Sequence, residues 1–170
     1  KVMYLSVNKN YSKTDCKLAK AEKNDCVVRS IAAATGISYR TAHAFCKEEL
    51  GREDKKGTNN MLLSTMFLKA QDDGLKLENK EFEVYGLKKE EVKNKYKLKG
   101  EEIWRQKTLK SFIQSHPVGT FMVLVARHAL VVKDGELLDW ENNKFEPTRK
   151  VMSAYKFTEK KNDPVQLSLF

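Results

Sequence analysis

The chain has 170 residues, of which 32 are Lys or Arg and 23 are Asp or Glu, giving a net charge of +9. A chain of this length usually forms one domain, and its 41% hydrophobic and 32% charged residues make it too apolar for a disordered protein and too polar for a membrane protein. We therefore expect a soluble, cytoplasmic protein that does not interact with membranes.

The cysteine content agrees with a reducing compartment. Cys16, Cys26 and Cys46 are an odd set, so at least one thiol must be free. Their spacing relative to the three histidines matches no zinc-binding pattern. We expect no structural metal and no cofactor.

A short strand and a helix are predicted first. Residues 2–7 are apolar with a slight alternation, which favours an edge strand. From Cys26 onward apolar residues recur at helical spacing, Asn24 or Asp25 can cap this helix, and Gly36 can end it in the left-handed conformation.

Two further helices flank a polar loop. Residues 38–51 predict a helix whose apolar stripe contains Ala42, Phe45, Cys46 and Leu50. Residues 51–60 are polar with a glycine near each end, and we expect this loop to border a cleft. Asn59 or Asn60 can cap a third helix that runs through Met61, Leu62, Met66 and Leu68.

The middle of the chain is strongly basic. Residues 81–85 alternate as in a strand, and residues 88–110 then carry nine Lys or Arg and four Glu, or +5 of the net charge. Such a block favours proximity to nucleic acid, although a solvated face that aids solubility is an equally good interpretation. No helix-turn-helix or zinc-finger signature accompanies it, so we do not predict sequence-specific DNA recognition.

The second half of the chain turns to β structure. A helix at 108–115 is broken by His116-Pro117, and strands are predicted at 120–126, 128–132, 136–140 and 151–157. Asp134-Gly135 is a two-residue hairpin signal between the second and third of these strands. Helices first and antiparallel strands last indicate an α+β fold.

Cys26 is a candidate nucleophile because it lies at a helix start, where the helix dipole and free N–H groups stabilise a thiolate. Acyl transfer also needs a base and a group that orients the base. His128 and Asp139 can supply these, since the hairpin turn brings them to roughly opposite positions on neighbouring strands. A packed core thiol and a structural histidine are the plainer interpretations. His43 and His116 are predicted to be an ordinary helix-surface residue and a turn residue.

These residues resemble a known superfamily. Asn24-Asp25-Cys26-Val27-Val28-Arg29 opening a helix, followed by His128-Ala129-Leu130-Val131-Val132 and Leu138-Asp139-Trp140, looks like the papain-like cysteine peptidases, especially their compact bacterial and phage-borne members. The resemblance covers roughly residues 20–157. It implies a papain-like α+β fold in which N-terminal helices, with the cysteine at a helix start, pack on a C-terminal antiparallel sheet.

The resemblance also implies roles for individual residues. Cys26 would be the nucleophile, His128 the base and Asp139 the group that orients His128, acting on an unidentified protein or peptide substrate. The superfamily commonly has a Gln six residues before the cysteine as oxyanion donor, but this position is Lys20 here. Asn24 and the Cys26 backbone N–H are the proposed substitutes. An inactive member that keeps the fold for binding is the alternative.

The end of the sequence suggests a partner. Gln166-Leu167-Ser168-Leu169-Phe170 resembles the Gln-Leu-x-Leu-Phe motif that binds the bacterial DNA polymerase sliding clamp, with Gln166, Leu167, Leu169 and Phe170 as the specified positions. A terminal strand that docks on the sheet is the other interpretation. We therefore divide the chain into a hydrolase-type domain, residues 1–157, and a flexible clamp-binding tail, residues 158–170, of a phage-type protein in the bacterial host cytoplasm.

Overall fold

A computed structural model describes residues 16–139 and 146–161 of the chain. In these ranges the protein is α+β, with helices from the N-terminal part packed on an antiparallel sheet. The helices are α1 (Lys17–Ala21), α2 (Cys26–Thr35), α3 (Tyr39–Leu50), α4 (Asn60–Asp73), α5 (Lys89–Val92) and α6 (Leu109–Ser115). The strands are β1 (Leu75–Leu77), β2 (Lys80–Gly86), β3 (Lys93–Leu98), β4 (Glu101–Gln106), β5 (Thr120–Val125), β6 (His128–Lys133), β7 (Glu136–Leu138) and β8 (Val151–Glu159).

Local sequence sets the ends of α2 and α3. Gly36 (φ +71°) and Gly51 (φ +60°) follow the two helices in the left-handed conformation, which glycine adopts without the steric cost of a Cβ. The Ser38 hydroxyl caps α3 by accepting a hydrogen bond from the Thr41 backbone N–H at 3.2 Å. The predicted bounds of both helices are confirmed.

Helix α4 begins where the sequence predicts but buries a different face. The Asn59 side chain accepts hydrogen bonds from the backbone N–H groups of Met61 and Leu62. Met61 and Leu68 are 77% and 66% exposed, whereas the buried residues of α4 are Leu63, Phe67 and Ala70. Apolar residues occur on more than one side of this helix, so its periodicity alone does not identify the side that contacts β2 and β8.

The main sheet has six antiparallel strands in the order β1-β2-β8-β5-β6-β7. Alternate residues of β5 and β6 enter two cores: Met122 and Val131 pack with residues of α2, α3 and α4, and Val123 and Val132 pack with residues of α6. The sheet is therefore covered by helices on both faces. Helix α2 packs on β6, the strand that begins with His128, and the start of α2 shares a cleft with this residue.

Some elements differ from the sequence predictions. Strands β1 and β2 join the same sheet, which is thus not purely C-terminal. Strand β8 continues to Glu159, so Thr158 and Glu159, assigned to the tail, pair with Glu83 and Phe82. The strand predicted at residues 2–7 and residues 162–170 of the tail lie outside the described residues.

The basic middle segment forms a second, two-stranded sheet. Strands β3 and β4 pair along their whole length, with Lys93 opposite Gln106 and Leu98 opposite Glu101. Within the described ranges, none of the helices combines the length and apolar character needed to cross a bilayer.

Candidate active site

Cys26 is the first residue of α2, as predicted, and its side chain is half-buried. Its position at the helix start leaves its backbone N–H without an intrahelical partner. The next turn of the helix is fixed by the Ser30 hydroxyl, which donates to the Cys26 carbonyl at 2.7 Å. Cys26 therefore presents a thiol and a free N–H at one end of a rigid element.

His128 and Asp139 are in direct contact. His128 Nε2 lies 2.8 Å from Asp139 Oδ1, and both residues are buried. Because Val131 pairs with Leu138, Asp139 lies two residues from the position directly across from His128. The sequence suggested that His128 and Asp139 are roughly opposite each other, whereas they are diagonal neighbours. Both side chains still lie on one face of the sheet and within hydrogen-bonding reach.

The His128 ring also faces Cys26: both residues line the same cleft, and Cys26 contributes to the pKa of the ring. Since Nε2 is bonded to Asp139, Nδ1 is the ring nitrogen left for the thiol. Burial disfavours the charged imidazole, but the contacts with Asp139 and Cys26 outweigh it and raise the pKa of His128 to about 9. At neutral pH the ring is thus protonated between a carboxylate and a sulfur.

Cys26 and His128 line a cleft of about 260 Å³. Two residues of the polar loop, Gly57 and Thr58, form part of its wall, which confirms that this loop borders the cleft. Arg127, which no sequence pattern indicated, is a cationic residue at the rim, and its φ of +60° belongs to the tight turn between β5 and β6. The full lining consists of Asn24, Cys26, Val27, Gly57, Thr58, Asn60, Leu124, Val125, Arg127, His128 and Ala129.

Asn24, the predicted oxyanion donor, also lines the cleft. Its φ of +52° is a left-handed conformation that Asn tolerates better than most residues. Asn24 Nδ2 donates to the Lys55 carbonyl at 3.1 Å, which leaves the second N–H of the amide for another acceptor. Lys20, at the position of the superfamily's usual Gln, is an exposed residue of α1.

A buried ionic cluster next to the cleft was not predicted. Arg52 Nη2 donates to Glu22 Oε2 at 2.6 Å, and the Lys55 backbone N–H donates to the same oxygen at 3.0 Å. Burial would raise the pKa of Glu22, but the hydrogen bonds from Arg52 and Lys55 keep it below its usual value. His43, expected on the helix surface, is 7% exposed, with Nε2 at 3.4 Å from Glu22 Oε1. The expectation for His43 was wrong because its partner comes from a distant part of the chain.

A second buried group surrounds Asp25. Asp25 Oδ2 accepts hydrogen bonds from Tyr39 Oη at 2.6 Å and from Arg29 Nε at 3.0 Å. Burial raises the pKa of Asp25 despite the Tyr39 hydrogen bond. Asp25 occupies the N-cap position of α2, but its side chain makes no capping hydrogen bond there. The hydrogen bond from Tyr39 therefore connects Asp25, and with it the start of α2, to α3.

The other cysteines are separate from this arrangement. All three cysteines are free, and Cys16 is half-buried like Cys26. Cys46 is buried, which raises the pKa of its thiol to about 12 and keeps it protonated at neutral pH. These properties agree with a packed structural thiol at Cys46.

One trio in the described part of the chain has the residue types of a metal site. The ligand atoms of Glu22, His43 and Asp54 lie within 4.8 Å of one another. Arg52 is bonded to Glu22, and Lys47 Nζ lies 3.6 Å from Asp54 Oδ1. Because cations already neutralise both carboxylates, we assign the trio to ion pairing.

Comparison of the chain with protein-family models, curated proteins and solved structures returned no match. The function of the cleft must therefore be inferred from the chemistry of Cys26, His128 and their neighbours. The predicted clamp-binding positions Gln166, Leu167, Leu169 and Phe170 lie outside the described residues.

Proposed function

We propose that the protein is a cysteine hydrolase of the papain-like type. The observation that carries the proposal is that Cys26 shares an open cleft with His128, whose ring acts electrostatically together with Cys26 and is bonded to Asp139. A nucleophile, a base and an orienting carboxylate in this order are the parts that acyl transfer needs. The order along the chain and the placement of Cys26 at a helix start are also those of the papain-like superfamily.

The reaction would proceed in two steps. With the proton of its thiol held by His128, the Cys26 sulfur attacks the carbonyl carbon of an amide, and the negative charge that develops on the carbonyl oxygen is stabilised by the Cys26 backbone N–H and the remaining N–H of Asn24. The C–N bond then breaks as the His128 imidazolium gives its proton to the leaving amine. His128 next takes a proton from water, which attacks the thioester and releases the acid, and the thiol returns. Asp139 keeps the ring oriented throughout.

A peptide-library experiment tests this function. The full chain and its Cys26→Ala variant are incubated with a proteome-derived peptide library, and new peptide termini are identified by mass spectrometry. We expect new termini with the native chain and none with Cys26→Ala, while Cys46→Ala behaves like the native chain. Equal termini in the native and Cys26→Ala samples, or none in either, would argue against a peptidase.

The C-terminal sequence favours a second function, which is binding to the bacterial sliding clamp. The segment matches the specified Gln, Leu, Leu and Phe of the clamp-binding motif. Aromatic and leucine side chains would fill an apolar pocket, and the segment would hold the domain near replicating DNA. With an active triad the protein is a clamp-tethered hydrolase, whereas with an inactive one it is a modulator or inhibitor of host replication.

Clamp binding is tested separately from catalysis. Binding of the full chain to immobilised clamp is compared with that of a variant with alanine at Gln166, Leu169 and Phe170, and with that of Cys26→Ala. We expect loss of binding in the first variant and unchanged binding in the second. Retained binding by the triple alanine variant would exclude the tail as the clamp contact.

A further inference from the structure

The two-stranded β3–β4 sheet, hereafter the ribbon, has a row of lysines on one face. Lys93, Lys95 and Lys97 alternate with other residues along β3, so their side chains point to the same side. Successive lysines are separated by about 6.6 Å and the row spans about 13 Å. Such a row places ammonium groups along a line, as a polyanionic strand requires.

An aromatic ring lies within this row. Trp104 on β4 is directly opposite Lys95, and Lys93 and Lys97 are its diagonal neighbours. The Lys89 ammonium lies over the indole, 4.6 Å from the ring centroid. The Lys95 ammonium is 2.7 Å from Glu102 Oε1, so one carboxylate accompanies four lysines on this side of the ribbon.

The ribbon contacts the body of the domain at one end, where Gln106 Nε2 donates to Met152 Sδ of β8 at 3.4 Å, and it lies apart from the cleft. On its opposite face Tyr96 and Leu98 are 49% and 53% exposed, so that face does not serve as a core against the main sheet. No residue of the ribbon lines the Cys26 cleft. The cationic face is thus available to a ligand independently of the proposed catalysis.

We propose that the β3–β4 ribbon binds single-stranded nucleic acid. The lysine row neutralises consecutive phosphates. When a phosphate draws the Lys89 ammonium away from its place over the Trp104 ring, the indole becomes a surface on which a base can stack. Binding of single strands combines these two features, a cationic path for the backbone and aromatic rings for the bases. An acidic protein could form ion pairs with these lysines, but it would not explain the Trp104 ring that lies among them.

The proposal makes a quantitative statement about salt. If about three phosphates are neutralised, the logarithm of the binding constant falls with the logarithm of salt concentration with a slope of about −2. Loss of the three lysines should remove most of this slope. Loss of the indole should weaken binding without changing the slope, because stacking releases no counterions.

The test measures fluorescence anisotropy of a labelled 20-nucleotide oligothymidylate, and of a duplex of equal length, with the full chain at several salt concentrations. One variant replaces Lys93, Lys95 and Lys97 by Gln. The matched control replaces the exposed residues Lys17, Lys69 and Lys76 by Gln, which changes the net charge equally. A third variant is Trp104→Leu, and thermal unfolding verifies that each is folded.

We expect the ribbon lysine variant to bind the oligothymidylate at least tenfold more weakly, the control to change less than threefold, and Trp104→Leu to lose about tenfold. In a Trp140→Phe background, where Trp104 is the remaining tryptophan, binding should quench its fluorescence. Equal losses in the two lysine variants, tighter binding of the duplex, an unchanged Trp104→Leu variant, or no binding at low salt would each overturn the proposal.

Discussion

Arg52 and Glu22 form an ion pair of 2.6 Å in which both side chains are almost completely buried. The pair joins the polar loop that walls the cleft to the segment just before Cys26. Asn24, which donates to the Lys55 carbonyl, makes a second connection between the same two segments. The cleft wall and the segment that leads into Cys26 are therefore held together by charged and polar contacts.

Replacing Arg52 by Met should destabilise the protein by about 3–5 kcal/mol, because Glu22 keeps its buried charge without its main partner. Lys56→Met is the control, since Lys56 pairs with Glu53 at an exposed site and should cost less than about 1 kcal/mol. Urea unfolding followed by circular dichroism measures both. Similar losses in the two variants would mean that the Arg52 pair contributes no more than a surface pair.

Cys26 should be the most reactive cysteine. We expect iodoacetamide at pH 7 to modify Cys26 first and to leave Cys46 unmodified in the folded protein, because the Cys46 thiol is buried and protonated. His128→Ala should slow alkylation of Cys26 about tenfold, since the sulfur then lacks the positively charged ring beside it. Peptide mass spectrometry gives the rate at each site.

Cys16 is the internal control for this experiment, because it is half-buried like Cys26 and lies outside the contacts of His128. Its alkylation rate should be the same in the native chain and in His128→Ala. If Cys16 slowed together with Cys26, the effect of His128 would be a general change in the fold.

The histidines should titrate at different pH values. His128 should lose its proton near pH 9, whereas burial lowers the pKa of His116 below 6.5. Asp139→Asn removes the negative charge next to His128 and should lower the pKa of this ring by about 1–3 units. Two-dimensional NMR of the imidazole C–H groups measures these values. An unchanged His128 titration in Asp139→Asn would contradict the role of Asp139.

The titration of His128 should also make the free energy of unfolding depend on pH. Because the pKa of His128 is raised from 6.5 in the unfolded chain to about 9, its contribution is complete below pH 6.5 and is lost as pH rises through 9. We expect this contribution to be about 1–3 kcal/mol. Urea unfolding at pH 6 and pH 9.5 should show a larger decrease for the native chain than for Asp139→Asn, and equal decreases would exclude the linkage.

The sequence predicted the elements whose ends are encoded locally. Ser38 and Asn59 identify helix starts, Gly36 identifies a helix end, and Asp134-Gly135 marks the hairpin that brings His128 near Asp139. The proximity of Cys26 to His128 was also expected, but from the chemistry of acyl transfer and a family resemblance rather than from any local signal that brings the two together.

The long-range contacts could not be predicted in this way. His43 was expected at the surface because nothing in its own helix indicates that Glu22 and Arg52 lie beside it. The buried side of α4 was ambiguous for a related reason, since it is chosen by the strands that α4 meets. The diagonal offset of His128 and Asp139 depends on a register that the turn sequence suggests only approximately.

The position of β8 has a consequence for synthesis of the protein. This strand is the last of the described chain, yet it lies between β2 and β5 in the middle of the sheet. Until β8 has left the ribosome, β2 and β5 lack a shared neighbour and expose unpaired edges. The nascent chain therefore cannot complete the sheet beneath α2 in stages, and the arrangement of Cys26 and His128 must form late, after β8 has been made.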